Sequence, residues 1–244
     1  MKWLTGRGPI RWQANACSKT GPNKEINEDH TLLDEAQGLA IVCDGVGGQG
    51  NGELASKMAC EFLEQSIANH PALSEPGMEL RQILRQCHQH LLSHMKEHPD
   101  TQGMATTVVL ALQNGSHTWL TWAGDSRAYL LRKGKLTALT NDHSFVNEKV
   151  AQGILSEEEA ASHPMAHLIT SSLGGASNSL KRIGIEKISL RRGDRLILCS
   201  DGVYGYMSHD ELRLNANQGA DALVRQAINN DTFDNCSAID IAIR

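Results

Sequence analysis

Short apolar runs separated by turn residues make up most of the chain. Leu39-Ala40-Ile41-Val42-Cys43, Leu196-Ile197-Leu198-Cys199 and Ala238 to Ile243 are long enough for buried strands and too short for helices. Thr31 to Asp34 and Leu39 to Cys43 flank Gln37-Gly38 and predict a hairpin. Met104 to Leu112 is apolar and β-branched, Asn114-Gly115 is a strong turn signal, and His117 to Ala123 supplies the return strand. Arg127 to Arg132 and Lys135 to Leu139 flank Lys133-Gly134 in the same way. Alternation over Arg11 to Ser18 predicts a first strand, and Ile183 to Leu190 a later one. Two stretches change to a helical period: Leu54, Met58 and Phe62 with Ala55, Leu63 and Ile67, then Leu80, Leu84, Cys87, Leu91 and Met95. Only His70 to Gly77 separates them, which predicts an antiparallel helix pair. Ser208-His209-Asp210-Glu211 is a capping box, and Asp221 to Ile228 is helical. Met1 to Pro9 reads as a loose end.

The character changes between Asn141 and Gly175, where polar residues, a proline and short helical patterns replace the strands. Ser156-Glu157-Glu158-Glu159 starts a short helix there and Pro164 ends it. We assign residues 141–180 to a flap lying off the sheet, within a single domain spanning 1–244. Hairpins combined with one-faced helices imply an α+β fold, with two antiparallel sheets packed face to face and helices covering them. The opening hairpin rules against a Rossmann start.

Composition narrows the partners. The 244 residues are 40% hydrophobic, enough for a substantial core, and the formal net charge of -5 argues against nucleic acid. The six cysteines form no CxxC pair and sit mostly in apolar runs, which fits a reducing, cytoplasmic compartment and no structural zinc. No apolar run approaches the ~20 residues of a membrane span, and residues 1–20 carry no signal-peptide pattern. A soluble monomer is expected.

The candidate chemistry lies at strand ends. Asp44-Gly45 follows one apolar run, Asp125 follows Trp122-Ala123-Gly124, Ser200-Asp201-Gly202 follows another run, and Asp234-Asn235 precedes the last. Any one of these aspartates would be an ordinary turn former. Four carboxylates at the ends of separate strands suggest one oxygen-rich site on a sheet edge. The helical i, i+4 spacing of His90, His94 and His98 can bind zinc or copper, but these residues flank the apolar stripe and read as a solvated face. Trp119 and Trp122 read as strand packing.

The ordered set Asn27-Glu28-Asp29, Asp44-Gly45-Val46-Gly47-Gly48 with Gly52-Glu53-Leu54-Ala55-Ser56, Gly103-Met104-Ala105-Thr106-Thr107, Gly124-Asp125-Ser126-Arg127, Asp142-His143-Ser144, Ser200-Asp201-Gly202 and Asp234-Asn235 resembles the metal-dependent protein phosphatases of the 2C type, in their bacterial serine/threonine form. The resemblance runs through almost the whole chain. It implies a four-layer α-β-β-α sandwich and hydrolysis of phosphoserine and phosphothreonine on proteins by water activated at two Mn²⁺ or Mg²⁺ ions. Hard divalent cations take oxygen ligands and keep waters, and two of them can lower the pKa of a shared water.

By the same resemblance, Asp44 bridges both ions, the Gly45 carbonyl binds the second, and Asp201 and Asp234 hold the first. Glu28 and Asp29 act through water, and Asp125 with Asp201 binds a third ion. A phosphorylated protein, opposing a serine/threonine kinase, is the implied partner in phosphorylation signalling. Two positions depart from the family pattern. Lys24 stands where many relatives carry a phosphate-binding arginine, and it lacks the bidentate fork, so Arg11 is a second candidate cation. Val46 stands where animal relatives carry a proton-donating histidine, leaving a metal-bound water, His143 or His163 to protonate the leaving group. The alternatives are a non-catalytic phosphoprotein-binding domain on the same fold and a histidine-rich zinc-binding protein.

Overall fold

The computed structural model describes residues 11–47, 51–70, 73–175 and 180–244. The expectation for Met1 to Pro9 lies outside these residues, as does the Gly48 end of the second motif. The elements in chain order are β1 (Trp12–Lys19), β2 (Asp29–Asp34), β3 (Leu39–Val46), α1 (Asn51–Ala68), α2 (Pro76–Glu97), β4 (Ala105–Thr106), β5 (Val108–Asn114), β6 (His117–Ala123), β7 (Arg127–Arg132), β8 (Lys135–Ala138), α3 (Phe145–Ala151), α4 (Glu157–Ala161), β9 (Leu173–Gly174), β10 (Gly184–Ile188), β11 (Arg195–Cys199), α5 (Asp201–Tyr204), α6 (His209–Ala216), α7 (Ala220–Asn229) and β12 (Cys236–Ile243).

All strand pairs are antiparallel and form two sheets. One has the order β1-β12-β11-β7-β8, and the other β10-β6-β5-β3-β4-β9 with β2 also paired to β3. Three apolar cores lie between four layers. Leu39, Ile41 and Cys43 of β3 face α1 and α2, whereas Ala40 and Val42 of the same strand face the other sheet. Leu196 and Leu198 of β11 meet them from that sheet, while Ile197 and Cys199 turn to Leu223, Val224 and Ala227 of α7. Side chains alternate across a strand, so a strand covered on both faces is apolar at every position. That is why these segments read as continuous runs. The four-layer α-β-β-α arrangement is the expected one.

Three local features differ from the sequence reading, each near the carboxylates. Asp44 is not the last residue of its strand. β3 pairs with β5 over Leu39–Val42 and then with β4 at Gly45 and Val46, so Asp44 stands where the strand changes partner. The single strand expected over 104–112 is accordingly broken at Thr107. Asp201 opens a short helix, α5, rather than a turn.

The 141–180 segment contains α3 and α4, the latter started by the expected Ser156 capping box and ending at Ala161, before Pro164. A bridge between Ser144 and Ile169 closes its base, and β9 returns the chain to β4. Trp122 packs between the sheets, as expected.

Candidate active site

The β2–β3 register places Asp29 directly opposite Asp44. Thr106 and Thr107 fix the backbone of Asp44 from the strand break: both the Thr106 hydroxyl (2.9 Å) and the Thr107 N–H (2.8 Å) donate to its carbonyl. The Asp44 N–H donates to Thr107 Oγ1 at 3.1 Å. The chain at Gly45 is pressed between Glu28 and Gly52, and a Cβ there would run into the backbone carbonyl oxygens of both. Its N–H donates to the Glu28 carbonyl at 3.1 Å. Gly202 is required for the same reason, because a Cβ would strike the Asn235 carbonyl oxygen and separate α5 from the start of β12. The two sheets are joined at Asp29, whose Oδ2 accepts from Ser200 Oγ at 2.8 Å.

Five aspartates meet here. Burial, then Asp29, Asp201, Asp125 and Asp234, drive the Asp44 carboxyl well above its usual range. Burial pushes Asp29 up to about 7, with the Ser237 and Ser200 hydroxyls opposing and Asp201 and Asp234 adding to the rise. Burial and Asp201 push Asp125 up to about 7. Asp201 is raised by burial and by Asp234, while a hydrogen bond with Asp44 opposes the rise. Protons hold such a cluster together only when no other cation is present.

Three buried carboxylate oxygens, Glu28 Oε1, Asp125 Oδ1 and Asp201 Oδ1, have no hydrogen-bond partner among the described residues. Orphaned buried oxygens are costly, and an all-oxygen donor set suits hard divalent cations. The residues therefore fit such ions. Among the described residues no three acidic, histidine or cysteine side chains close into a group able to hold a metal by themselves. Waters and a backbone carbonyl would have to complete the shell, as is usual for these ions.

Lys24 Nζ sits 2.7 Å from Asp234 Oδ1. Burial works against its charge, but Asp234, with Glu28 and Asp44 beyond, leaves the ammonium above its usual pKa. Arg11 is excluded as the second phosphate cation. It precedes β1 beside Arg244, whereas the far end of β1 pairs Lys19 with Cys236, near Asp234. Eight strand residues separate the two ends, roughly 25 Å.

A cleft of about 1260 Å³ opens from Asp125, Asp201 and Asp234 and is walled on its other side by residues of α3, α4 and His167. His143 lines it but is a poor proton donor. Burial, with Arg182 adding to it, pushes the imidazolium down to about 4, and its Nδ1 faces the Gly124 N–H at 3.4 Å. His163 packs at a tilt against Phe145 and accepts from the Met165 N–H, away from the cleft lining. Val46, half exposed at the end of β3, has no proton to give. The nearby thiols are not nucleophiles, since burial pushes Cys199 and Cys236 up to about 12.

Residues 22–233 match the family model described as Protein phosphatase 2C. The chain belongs to the protein phosphatase 2C family. It is 31% identical over 198 residues to the serine/threonine phosphatase stp of Listeria monocytogenes, covering 79% of this chain and 78% of that one. It superposes on the Streptococcus agalactiae serine/threonine phosphatase with a TM-score of 0.86 at 28% identity, covering 96% of this chain and all of the other. The catalytic domain of the phosphatase PstP, solved in complex with two manganese ions, gives a TM-score of 0.83 at 28% identity, covering 96% and 99%.

Within this phosphatase 2C fold, one cluster was named by the motifs but given no role. Arg127 donates to both oxygens of Asp142 (2.8 and 2.7 Å), and its guanidinium lies 3.8 Å over the Tyr204 ring. The Tyr204 hydroxyl donates to the Asp125 carbonyl at 3.0 Å. The cluster ties the first residues of the flap to α5 and to Asp125. Arg127→Met leaves the Asp142 carboxylate without its cation, and urea melts should show a loss of about 3 kcal/mol. Adding Asp142→Asn should recover most of it. In the sequence the two motifs occur together, and nothing local to either states that they pair.

Proposed function

We propose that the acidic cleft hydrolyses phosphoserine and phosphothreonine on proteins, with Asp44, Asp201 and Asp234 holding two Mn²⁺ or Mg²⁺ ions. The Gly45 carbonyl would complete the second site, Glu28 and Asp29 would act through water, and Asp125 with Asp201 would supply a third position. The observation that carries this reading is the meeting of five aspartates from both sheets, with buried oxygens that no group among the described residues satisfies. When bound, the ions supply an activated water and neutralise charge on the phosphoryl oxygens.

The chain's own residues supply the rest. The threonine clamp on Asp44 and the Ser200 bond to Asp29 keep the carboxylates in place. No phosphocysteine intermediate is expected, because burial keeps the adjacent thiols protonated. The leaving oxygen takes its proton from water, since His143 is neutral at physiological pH. The substrate is a cytoplasmic phosphoprotein that a kinase has modified. The free cysteines suit that compartment, and no helix among the described residues is long and apolar enough to cross a membrane. A complete acidic set favours catalysis over a purely phosphoprotein-binding role.

Lys24 changes partner in this reading. Its half-exposed pair with Asp234 is worth little by itself. With Asp234 engaged by a cation, the Lys24 ammonium would be free to meet the substrate phosphate. Lys24→Ala should then raise KM for a phosphopeptide about 10-fold, the value of one charge-assisted contact, and change kcat less. Equal kinetics in the two proteins would remove Lys24 from phosphate binding. The reading as a whole is tested by turnover of p-nitrophenyl phosphate and a phosphothreonine peptide with manganese and with chelator. Manganese-dependent release of phosphate from both is expected. Metal binding without turnover would leave a phosphoprotein-binding domain.

A further inference from the structure

The large apolar side chains left exposed are not scattered. Eight are found among the described residues, and five of them adjoin the site. Ile26 lies between Lys24 and Glu28, Val46 follows Asp44-Gly45, and Phe233 precedes Asp234. Met165 and Leu168 flank Ala166 and His167 in the cleft wall. Single exposed hydrophobics need no explanation, but a group bordering a charged cleft marks a contact surface.

Phe233 is the sharpest case. It is 63% exposed, yet its loop is pinned on both sides. The buried Thr232 hydroxyl donates to the Gly202 carbonyl at 3.1 Å and accepts from the Asp234 N–H at 3.2 Å. Asn235 Oδ1 accepts from the Gly21 N–H at 3.1 Å. The ring meets Tyr206 edge-on at 6.2 Å. Tyr206 lines the same cleft as Asp201 and Asp234, and its carbonyl is held by Asn230 at 2.7 Å. The backbone that carries the ring is therefore held, and an aromatic pair stands at the rim beside Asp234.

We propose, resting on the phosphatase reading, that Phe233 and Tyr206 form a specificity shelf for an apolar or aromatic side chain next to the phosphorylated residue. A peptide that brings its phosphate to the carboxylate-held ions places its neighbouring residue one Cα step away, about 3.8 Å along the chain. That residue meets the shelf. The shelf itself offers aromatic surface and no cation, so it suits an apolar or aromatic neighbour better than an acidic one. The occupant is a phosphoprotein segment with Leu, Met or Phe beside the phosphoresidue.

The test compares two phosphothreonine peptides that differ only in their flanking residues, Leu and Phe in one and Asn and Gly in the other. The manganese-loaded full chain should favour the apolar peptide about 10-fold in kcat/KM. Phe233→Ala should bring that ratio to about one, and Phe233→Leu should restore part of it. A purely structural effect would lower both peptides together and leave the ratio alone. A ratio near one in the unsubstituted protein, or a preference that survives Phe233→Ala, overturns the shelf. Fluorescence anisotropy with the same peptides reads the preference without turnover. Absent hydrolysis would therefore count against the phosphatase reading, while the binding ratio alone decides the shelf.

Discussion

Asp201→Asn should abolish manganese-dependent turnover and, at the same time, make the metal-free protein melt higher. The two effects share a cause. Asp201 carries one of the orphaned buried oxygens, lies within hydrogen-bond reach of Asp44, and is pushed up by burial and by Asp234. In the proposed reading it would be a metal ligand and would help place the charge that stabilises the transition state. Losing about 4 kcal/mol of that stabilisation corresponds to a rate loss on the order of 10³. In the metal-free state burial and the charge of Asp234 outweigh the hydrogen bond that the same carboxylate makes with Asp44. An amide of equal size removes the charge and leaves the shape, so the cluster relaxes. Phosphate release from p-nitrophenyl phosphate measures the first effect, and a thermal melt in chelator measures the second. A variant that is inactive but also melts lower than the unsubstituted protein would show that Asp201 is a structural residue.

Without metal, stability should fall as pH rises from about 4 to 7, and manganese should abolish that fall. The sign follows from Asp29 and Asp125, both pushed up to about 7, and from Asp44 and Asp201, both raised. Across this window the folded chain holds protons that the unfolded chain has already released. Each unit of pH therefore favours unfolding, by at most about 1.4 kcal/mol for each such group. Above the folded-state values the penalty is complete and no longer grows. A bound cation takes over the role of the protons. At a free concentration about 100 times the dissociation constant it adds about 2.7 kcal/mol per site. Melts at pH 5, 6, 7 and 8, in chelator and in manganese, check both parts. Parallel curves with no manganese gain at pH 7 would mean that the carboxylates are not a cation site.

Much of this arrangement is legible along the chain. The strands announce themselves because a segment buried on both faces must be apolar throughout, as Leu39 to Cys43 is. The helix starts at Ser156 and Ser208 follow from capping chemistry confined to four residues. The motifs around Asp44 and Asp201 mark the acidic residues, although the local conformations differ. Asp201 begins a helix, and Asp44 stands at a change of strand partner rather than at a strand end.

What was not legible depends on contacts between distant segments. The pairing of Lys24 with Asp234 and of Arg127 with Asp142 leaves no mark on either partner's neighbours in sequence. His143 has the composition of a proton donor, and only its burial against Trp122, with Arg182 nearby, removes that role. The exposure of Phe233 beside Asp234 is likewise a property of the pinned loop.

The order of residues by itself determined the alternation of strands and helices, the family, and the identity of the acidic side chains, because each is written in spacings of a few residues. Only the tertiary structure decided that Asp125, Asp201 and Asp234 line one cleft, that Lys24 already neutralises one of them, and that an aromatic pair borders it. The reason is reach. Turn, cap and periodicity signals extend over about one helical turn or hairpin, whereas Asp29 and Ser200 become neighbours only because two sheets pack face to face.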